Sequence, residues 1–416
     1  MNWISTLFVT ALAAQLAIEL LLNIRQLLAV ALNRDRVPPA FADTVSLADH
    51  QKAADYTRAR LQLERYRLFF DTALLYVMTL GGGFNDLYAA WQQVDLPPLW
   101  RDTLFVLGTL WFLSLLHLPF QILRTFRVEA EFGFNRTTPK QFVIDLIKGW
   151  LLGAVLGVPL VYALLWLMAR LMDAQWWLWA WLLWMGVQFA LLWAFPRWIA
   201  PLFNTFTPLE DASLRQRIET LLEKTGFASD GIFVMDGSRR SSHGNAYFTG
   251  TGRHKRIVFF DTLLEKLAPE EIEAVLAHEL GHFRHGHVKK RLLLSGLISL
   301  AGFWLLNTLM QRPEFYTGLG TEYQTPGMAL LLFVTAVPVF FFWLGPLMAW
   351  LSRRHEFEAD AFAVETVGAD PMIRALLKLY RDNAATLTPD PWYSAWHDSH
   401  PPAPIRIQHL EGLKHD

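Results

Sequence analysis

Residues 274–282 read AVLAHELGH and contain a His-Glu-x-x-His pattern. The surrounding apolar residues recur with the period of an amphipathic helix, and Pro269 followed by two glutamates is typical of a helix start. At 3.6 residues per turn, His278 and His282 share one face of that helix. Glu279 lies beside them. The stretch therefore predicts a half-buried helix that presents two imidazoles and a carboxylate.

Two imidazoles at this spacing bind one zinc ion, and the adjacent Glu279 is placed to take a proton from a water molecule that the metal activates. The pattern alone leaves a second interpretation open, namely a histidine pair on a solvated helix. In the functional interpretation, the chain binds one Zn²⁺ and is a peptidase. The rest of the sequence has to supply the remaining ligand.

The composition is that of a membrane protein. Of 416 residues, 53% are hydrophobic and 18% are charged, whereas soluble domains carry about 25% charged residues. The 18 Trp and 30 Phe residues also fit a chain that meets bilayer interfaces. A net charge of -1 gives no electrostatic basis for binding nucleic acid. Because the chain has no Cys, any metal must be held by His and carboxylate groups.

Seven apolar runs predict a mainly α, polytopic membrane protein with about seven transmembrane helices. Each run is near the ~20 residues that a bilayer requires. The first run is too long for a signal peptide and lacks a basic leader. Three consecutive glycines at 81–83 predict a kink or an early end in the second run. The runs occupy residues 3–32, 68–91, 99–123, 150–172, 176–202, 292–310 and 328–350.

Loop charges predict the orientation, because the first and third loops are rich in Lys and Arg whereas the second, fourth and sixth loops are poor in them. By the positive-inside rule the odd-numbered loops are cytoplasmic and the N-terminus is outside. The domains then follow in order: 1–202 holds the first five membrane helices, 203–291 a cytoplasmic zinc-peptidase segment, 292–350 the sixth and seventh helices, and 351–416 a cytoplasmic tail.

The segment 203–291 has the pattern of a small α/β unit. A helix is predicted over 209–224. Strands are predicted over 231–236, 245–249 and 256–260, with a turn at 250–252. The zinc-motif helix follows the last strand, so the strands and the motif belong to one folded unit.

The third metal ligand has to come from another part of the chain, because a catalytic zinc takes three protein ligands and His282 is not followed by the metzincin spacing. A charged helical segment after the seventh run supplies Glu356 and Asp360, which share one face at i, i+4. Glu356 is the candidate ligand, and Asp360 orients a histidine ligand or engages substrate. Glu358 falls on another face. The alternative interpretation is a solvated helix end.

Together these features resemble the integral-membrane CAAX prenyl proteases of type I, which are gluzincin zinc metallopeptidases. The resemblance covers most of the chain and includes the apparent number of spans. The motifs that carry it, in chain order, are EFGFN at 131–135, SHGNAYF at 242–248, HELGHFRHGH at 278–287, SRRHEFEADAFA at 352–363, and HPP at 400–402 with Arg406.

The resemblance implies that His278, His282 and Glu356 bind the zinc ion and that Glu279 is the general base. It also implies an unusual architecture, in which the membrane helices enclose a large water-filled chamber with the zinc site on its cytoplasmic side.

Further roles follow from the resemblance. His400 and Arg406 stand where the family places groups that support the transition state, and Asp360 where it places a proton donor. The segment Asn245, Ala246, Tyr247 and Phe248 is expected to be an edge strand along which substrate lies extended. An ordinary hairpin strand is the alternative for this segment.

The function predicted is zinc-dependent endoproteolysis of peptide or protein substrates, lipidated or not. It covers either CAAX-type processing of C-terminal peptides or broader cleavage inside the chamber. One alternative is a membrane quality-control metallopeptidase, although that family usually has fewer spans and lacks the FGFN loop. A non-enzymatic alternative is a protein that binds or transports lipidated peptides and has a structural zinc. The expected location is a bacterial inner membrane or the endoplasmic reticulum membrane, with the active site facing the cytoplasm.

Overall fold

The computed structural model describes residues 2–249 and 255–414. The turn predicted at 250–252 lies outside the described residues. Within them the chain is mainly helical, with one small sheet in the segment that precedes the zinc motif.

The N-terminal half is a series of helices. Two π-helical turns, Arg124–Glu129 and Phe195–Ile199, continue the helices that precede them. The helices are α1 (Trp3–Leu32), α2 (Leu47–Met78), α3 (Gly83–Gln92), α4 (Pro98–Leu116), α5 (Leu118–Leu123), α6 (Pro139–Arg170), α7 (Trp176–Ala194) and α8 (Ala200–Phe203).

The second half contains the sheet segment and a further series of helices. A 3₁₀ turn, Val337–Phe341, follows one of them. These helices are α9 (Ala212–Thr225), α10 (Asp261–Leu264), α11 (Pro269–Arg284), α12 (His287–Leu309), α13 (Pro313–Gly318), α14 (Pro326–Ala336), α15 (Leu344–Val367), α16 (Ala369–Asp382), α17 (Pro391–His397) and α18 (Ala403–Gly412).

Among the described residues, 5 helical segments are long and apolar enough to cross a membrane. A sixth is added if Pro326–Phe341 and Leu344–Val367, which meet at a bend of 73°, form one broken span. This is fewer than the seven predicted runs. The five segments are Trp3–Leu32, Pro98–Glu129, Pro139–Arg170, Trp176–Phe203 and His287–Leu309.

The predicted run at 68–91 is interrupted as its glycines indicated. Helix α2 ends at Met78 and α3 begins at Gly83. Between them Gly82 has a φ of 84°, a conformation that glycine adopts without steric cost. The run is therefore the end of one helix and a short second helix, which explains why it is not among the continuous spans.

The spans keep large apolar side chains on their outer surface. Leu151, Val155 and Trp179 are 62%, 68% and 55% exposed, respectively. So many uncovered apolar groups are costly in water but favourable against lipid acyl chains. The helices satisfy their own backbone polar groups, as a membrane-spanning segment must.

The sheet has four strands in the order β1-β2-β4-β3. Strands β2 and β4 pair in parallel, and the outer pairs are antiparallel. The three predicted strands are confirmed within one residue or two, and β1 adds a short strand that the sequence pattern did not indicate. The strands are β1 (Phe206–Pro208), β2 (Ile232–Met235), β3 (Ala246–Thr249) and β4 (Arg256–Phe260).

A loop from the membrane half contacts the sheet segment. The ring of Phe134 stacks on His243 with 4.5 Å between centroids, and Asn135 forms a β-bridge with Ser241. The FGFN motif thus joins the N-terminal helices to the segment that holds the zinc motif.

Candidate active site

Helix α11 is fixed at its start by a carboxylate. Pro269 occupies its first turn, and Glu271 accepts a hydrogen bond from the backbone N–H of Ala268 at 2.8 Å. Glu271 also forms an ion pair with Lys378 of α16 at 2.7 Å. On the sheet side, Leu280 is fully buried. These contacts set the rotation of α11 and turn its histidine face toward α15.

The three predicted ligands converge. The Nε2 atoms of His278 and His282 each lie 3.3 Å from an oxygen of Glu356, the first from Oε2 and the second from Oε1. One ligand atom from each residue lies within 4.8 Å of the others. Two helices 74 residues apart in sequence (from His282 to Glu356) therefore build one site.

These residues fit a metal ion. Oε2 of Glu356 is buried and accepts no hydrogen bond, which is costly for a carboxylate oxygen without a cation. Two imidazole nitrogens and one carboxylate oxygen are a ligand set of catalytic zinc sites. The orphaned oxygen and the donor set together make this group a candidate metal-binding site.

The outer nitrogen of His278 is held by Asp360. Oδ1 of Asp360 lies 2.8 Å from His278 Nδ1, and Asp360 is fully buried. Arg406 donates to both oxygens of Asp360, from Nε and Nη2, at 2.7 Å each. In this arrangement Nδ1 of His278 donates its proton to Asp360, which leaves the Nε2 lone pair free for a metal.

Glu279 is half-buried next to the ligands on α11. Burial raises the pKa of its carboxyl above the usual range, although the neighbouring His278 and His282 oppose this. A carboxylate with a raised pKa is suited to accept a proton and to return it later in the same reaction.

His400 and Arg406 occupy different positions. The Nε2 atom of His400 is 3.6 Å from Glu356 Oε2, and its side chain is 64% exposed. It lines a cavity of about 780 Å³ together with Tyr380 and His243. Arg406, in contrast, is buried behind His278 with two donors on Asp360. Only His400 of this pair lies open to the cavity.

The predicted substrate segment forms β3 at one edge of the sheet. Ala246 is buried, whereas Asn245 is exposed. The rings of Phe248 and Phe283 of α11 are 5.3 Å apart, and Tyr247 lies edge-on to Phe260. Strand β3 thus runs beside α11. Among the described residues, β3 pairs with β4 along one edge and with no strand along the other.

Two residues that the sequence pattern does not bring to this site contact it in the structure. They are His287, at the start of α12, and Glu358, which lies on a different face of α15 from Glu356. In the structure Nδ1 of His287 lies 2.8 Å from Nδ1 of His282, and Nε2 of His287 lies 2.9 Å from Glu358 Oε2. The sequence indicates His287 only by its position five residues after His282. Its contact with Glu358 depends on how α12 packs against α15.

The site and the helices around it define an integral membrane metalloprotease, and comparisons with known proteins agree. Residues 26–205 match the family described as CAAX prenyl protease N-terminal, five membrane helices. Residues 208–414 match peptidase family M48. The chain therefore belongs to the CAAX prenyl protease family of M48 metallopeptidases.

Individual relatives match over nearly the whole chain. CAAX prenyl protease 1 of Saccharomyces cerevisiae is 32% identical and the match covers 96% of this chain and 93% of the relative. The Arabidopsis thaliana homologue is 32% identical over 95% of this chain and 94% of its own. The crystal structure of S. mikatae Ste24p aligns with a TM-score of 0.91 and 30% identity, covering 99% of this chain and 100% of that one. The predicted family, fold class and protease function are confirmed.

Proposed function

We propose that this metalloprotease uses zinc and cleaves the peptide bond that follows a prenylated cysteine near the C-terminus of its substrate. Proteins of similar sequence bear the name CAAX prenyl protease 1. The observation that carries the proposal is the convergence of His278, His282 and Glu356, with Glu356 3.6 Å from His400, which lines a cavity of about 780 Å³. Such a cavity admits an extended peptide but not a folded domain.

The donor set favours zinc. Two imidazoles and one carboxylate on two helices leave a coordination position for substrate or water, which is typical of catalytic zinc. When bound, the zinc ion supplies a Lewis acid that polarises the scissile carbonyl and makes a water molecule more acidic.

The chain's own residues have separate roles in the reaction. Glu279 takes the proton of the attacking water and delivers it to the leaving amine. His400, which faces the cavity, donates a hydrogen bond to the carbonyl oxygen as that oxygen becomes negative. Asp360 holds the ring of His278, because its Oδ1 lies 2.8 Å from Nδ1 of that ring, and Arg406 fixes Asp360 by donating to both of its carboxylate oxygens. This assigns Asp360 the orienting role instead of proton donation.

Substrate binds along β3 by strand addition. The outer edge of β3 offers backbone N–H and C=O groups to an extended peptide. Because β3 lies against α11 through Phe248 and Phe283, a peptide paired with it runs past the histidine ligands. Asn245, Ala246, Tyr247 and Phe248 are the residues that contact it.

The active site faces the cytoplasm and the N-terminus lies on the opposite side. The first and third loops are rich in Lys and Arg, whereas the second, fourth and sixth loops are poor in them, and Lys- and Arg-rich loops remain on the cytoplasmic side of a membrane. This orientation gives the site access to newly made proteins.

Cleavage of matched peptides tests the proposal. The full chain is purified in detergent and offered a peptide ending in Cys and three aliphatic residues, with and without a farnesyl group on the Cys. We expect release of the last three residues from the farnesylated peptide, detected by mass spectrometry. The variant Glu279→Gln should keep its zinc and lose activity by about 10²–10⁴-fold.

Two results would contradict the proposal. One is equal cleavage of both peptides, which would remove the requirement for the lipid and favour a broader protease. The other is full activity of Glu279→Gln, which would remove the assigned base.

A further inference from the structure

The two histidine ligands are supported in different ways. His278 contacts a carboxylate directly through Nδ1, as described above. The Nδ1 atom of His282 instead meets Nδ1 of His287 at 2.8 Å, and the far nitrogen of His287 meets Glu358 Oε2 at 2.9 Å. A chain of two hydrogen bonds therefore leads from His282 through His287 to Glu358.

The proton positions in this chain follow from its members. An ionised carboxylate only accepts, so Nε2 of His287 carries a proton and donates it to Glu358. Nδ1 of the neutral His287 ring then has a lone pair and accepts from Nδ1–H of His282. With its proton on Nδ1, His282 has a free lone pair on Nε2, the atom that lies nearest Glu356.

The surroundings keep this arrangement in place. His287 is only 1% exposed, and its ring stacks on that of His355 with centroids 4.0 Å apart. Glu358 lies 3.6 Å from Lys290 and 3.6 Å from Arg354. Both cations contact the carboxylate that accepts from His287, so Glu358 is held in position beside that ring.

We propose that His287 and Glu358 are positioning residues that hold His282 in the tautomer and ring orientation needed to bind the metal. The proposal rests on the proposed function only in so far as His282 is a zinc ligand. We call these two hydrogen bonds, from His282 to His287 and from His287 to Glu358, the relay. If both bonds ran in the opposite direction, the proton of His282 would lie on Nε2 and would block metal binding. Glu358 prevents this reversal, although it lies on the face of α15 opposite to a ligand.

Zinc affinity tests the relay without reference to proteolysis. The full-length protein in detergent is titrated with zinc against a chelator of known affinity. His287→Phe removes the acceptor and retains an aromatic ring, and Glu358→Leu removes the terminal acceptor. Each should weaken zinc binding by about 10–100-fold. His117→Phe, at a histidine that pairs with Asp71 in the membrane half and not with the metal site, should bind zinc as the unmodified chain does.

Two further variants separate positioning from simple packing. His287→Gln offers an amide oxygen to His282 and should recover much of the zinc affinity that His287→Phe loses. The double variant His287→Phe/Glu358→Leu should be no worse than either single variant, because the two residues act as one unit. Multiplied losses would show independent structural roles and would overturn the proposal.

The cobalt-substituted protein gives a second readout. Its visible absorption reports the ligand geometry, so His287→Phe should shift the band and His287→Gln should restore it. Unchanged zinc affinity and spectrum in His287→Phe and Glu358→Leu would refute the relay. A chain that binds zinc tightly but does not cleave the farnesylated peptide would instead refute the proposed function and leave the relay intact.

Discussion

Gly281 sets the distance between the two ligand helices, and replacing it with alanine should weaken metal binding. A Cβ built at Gly281 would lie 2.8 Å from Cα and 3.0 Å from the carbonyl oxygen of Ala359. The first of these is about 0.6 Å short of the 3.4 Å at which ordinary contact begins. Both atoms belong to the backbone of α15, so no side-chain rotation relieves the clash.

Helices α11 and α15 therefore have to move apart by several tenths of an ångström in Gly281→Ala. Overpacking of this kind costs about 1–3 kcal/mol. Metal sites tolerate ligand distances within about 0.2 Å, and the moved helices carry His278, His282 and Glu356. If the whole cost appears in metal binding, the dissociation constant rises about 5- to 150-fold.

The assay is chelator competition with zinc on the purified full-length chain, together with thermal unfolding of the metal-free form. Gly149→Ala in α6 is the matched control, since a Cβ there meets no atom within 4 Å. It should leave zinc affinity unchanged. Equal zinc affinity in Gly281→Ala and Gly149→Ala would refute the argument that close helix approach at Gly281 positions the ligands.

Three other perturbations test separate parts of the structure. Glu356→Ala removes a ligand and should lower the metal content below one per chain by elemental analysis; an unchanged stoichiometry would place the third ligand elsewhere. Arg406→Met removes the cation that pairs with the buried carboxylate of Asp360, leaving it only the contact with His278, and should reduce stability by about 3–5 kcal/mol in thermal unfolding, with a smaller loss for Arg406→Lys. Reporter fusions should place the loop between α12 and α14 outside and the C-terminus in the cytoplasm; a cytoplasmic loop would contradict the proposed orientation.

The parts of the site that the sequence predicts are those that depend on local periodicity. The histidine pair on α11 and the Glu356–Asp360 pair on α15 each follow from i, i+4 spacing on a helix. The strands follow from short apolar runs bounded by turn residues. A catalytic zinc takes three protein ligands, so the chain has to supply one more ligand besides the two histidines. Few carboxylates in the chain lie on a suitable helix.

The parts that the sequence does not predict depend on how helices pack. His287 joins the site because Gly286, with a φ of 66°, redirects the chain between α11 and α12. Glu358 joins because α12 and α15 lie side by side at that level. The bend of 73° before α15 lies beside Gly345 and Pro346, but the apolar run continues across it and by itself predicts one straight span. The contacts of His287 and Glu358, in contrast, are relations between elements distant in sequence.

The segment 203–291 and the tail share one hydrophobic core even though the membrane helices separate them in sequence. Leu276 and Leu280 of α11 pack in the same buried cluster as Ala363 of α15 and Ala375 of α16. Glu356, the third residue of the candidate metal site, also lies outside 203–291. This group of side chains therefore cannot assemble from the motif segment alone, because Glu356 lies on α15, which follows a bend of 73°. Any movement of α15 relative to α11 moves Glu356, so the arrangement of the helices before α15 controls the geometry of the candidate site.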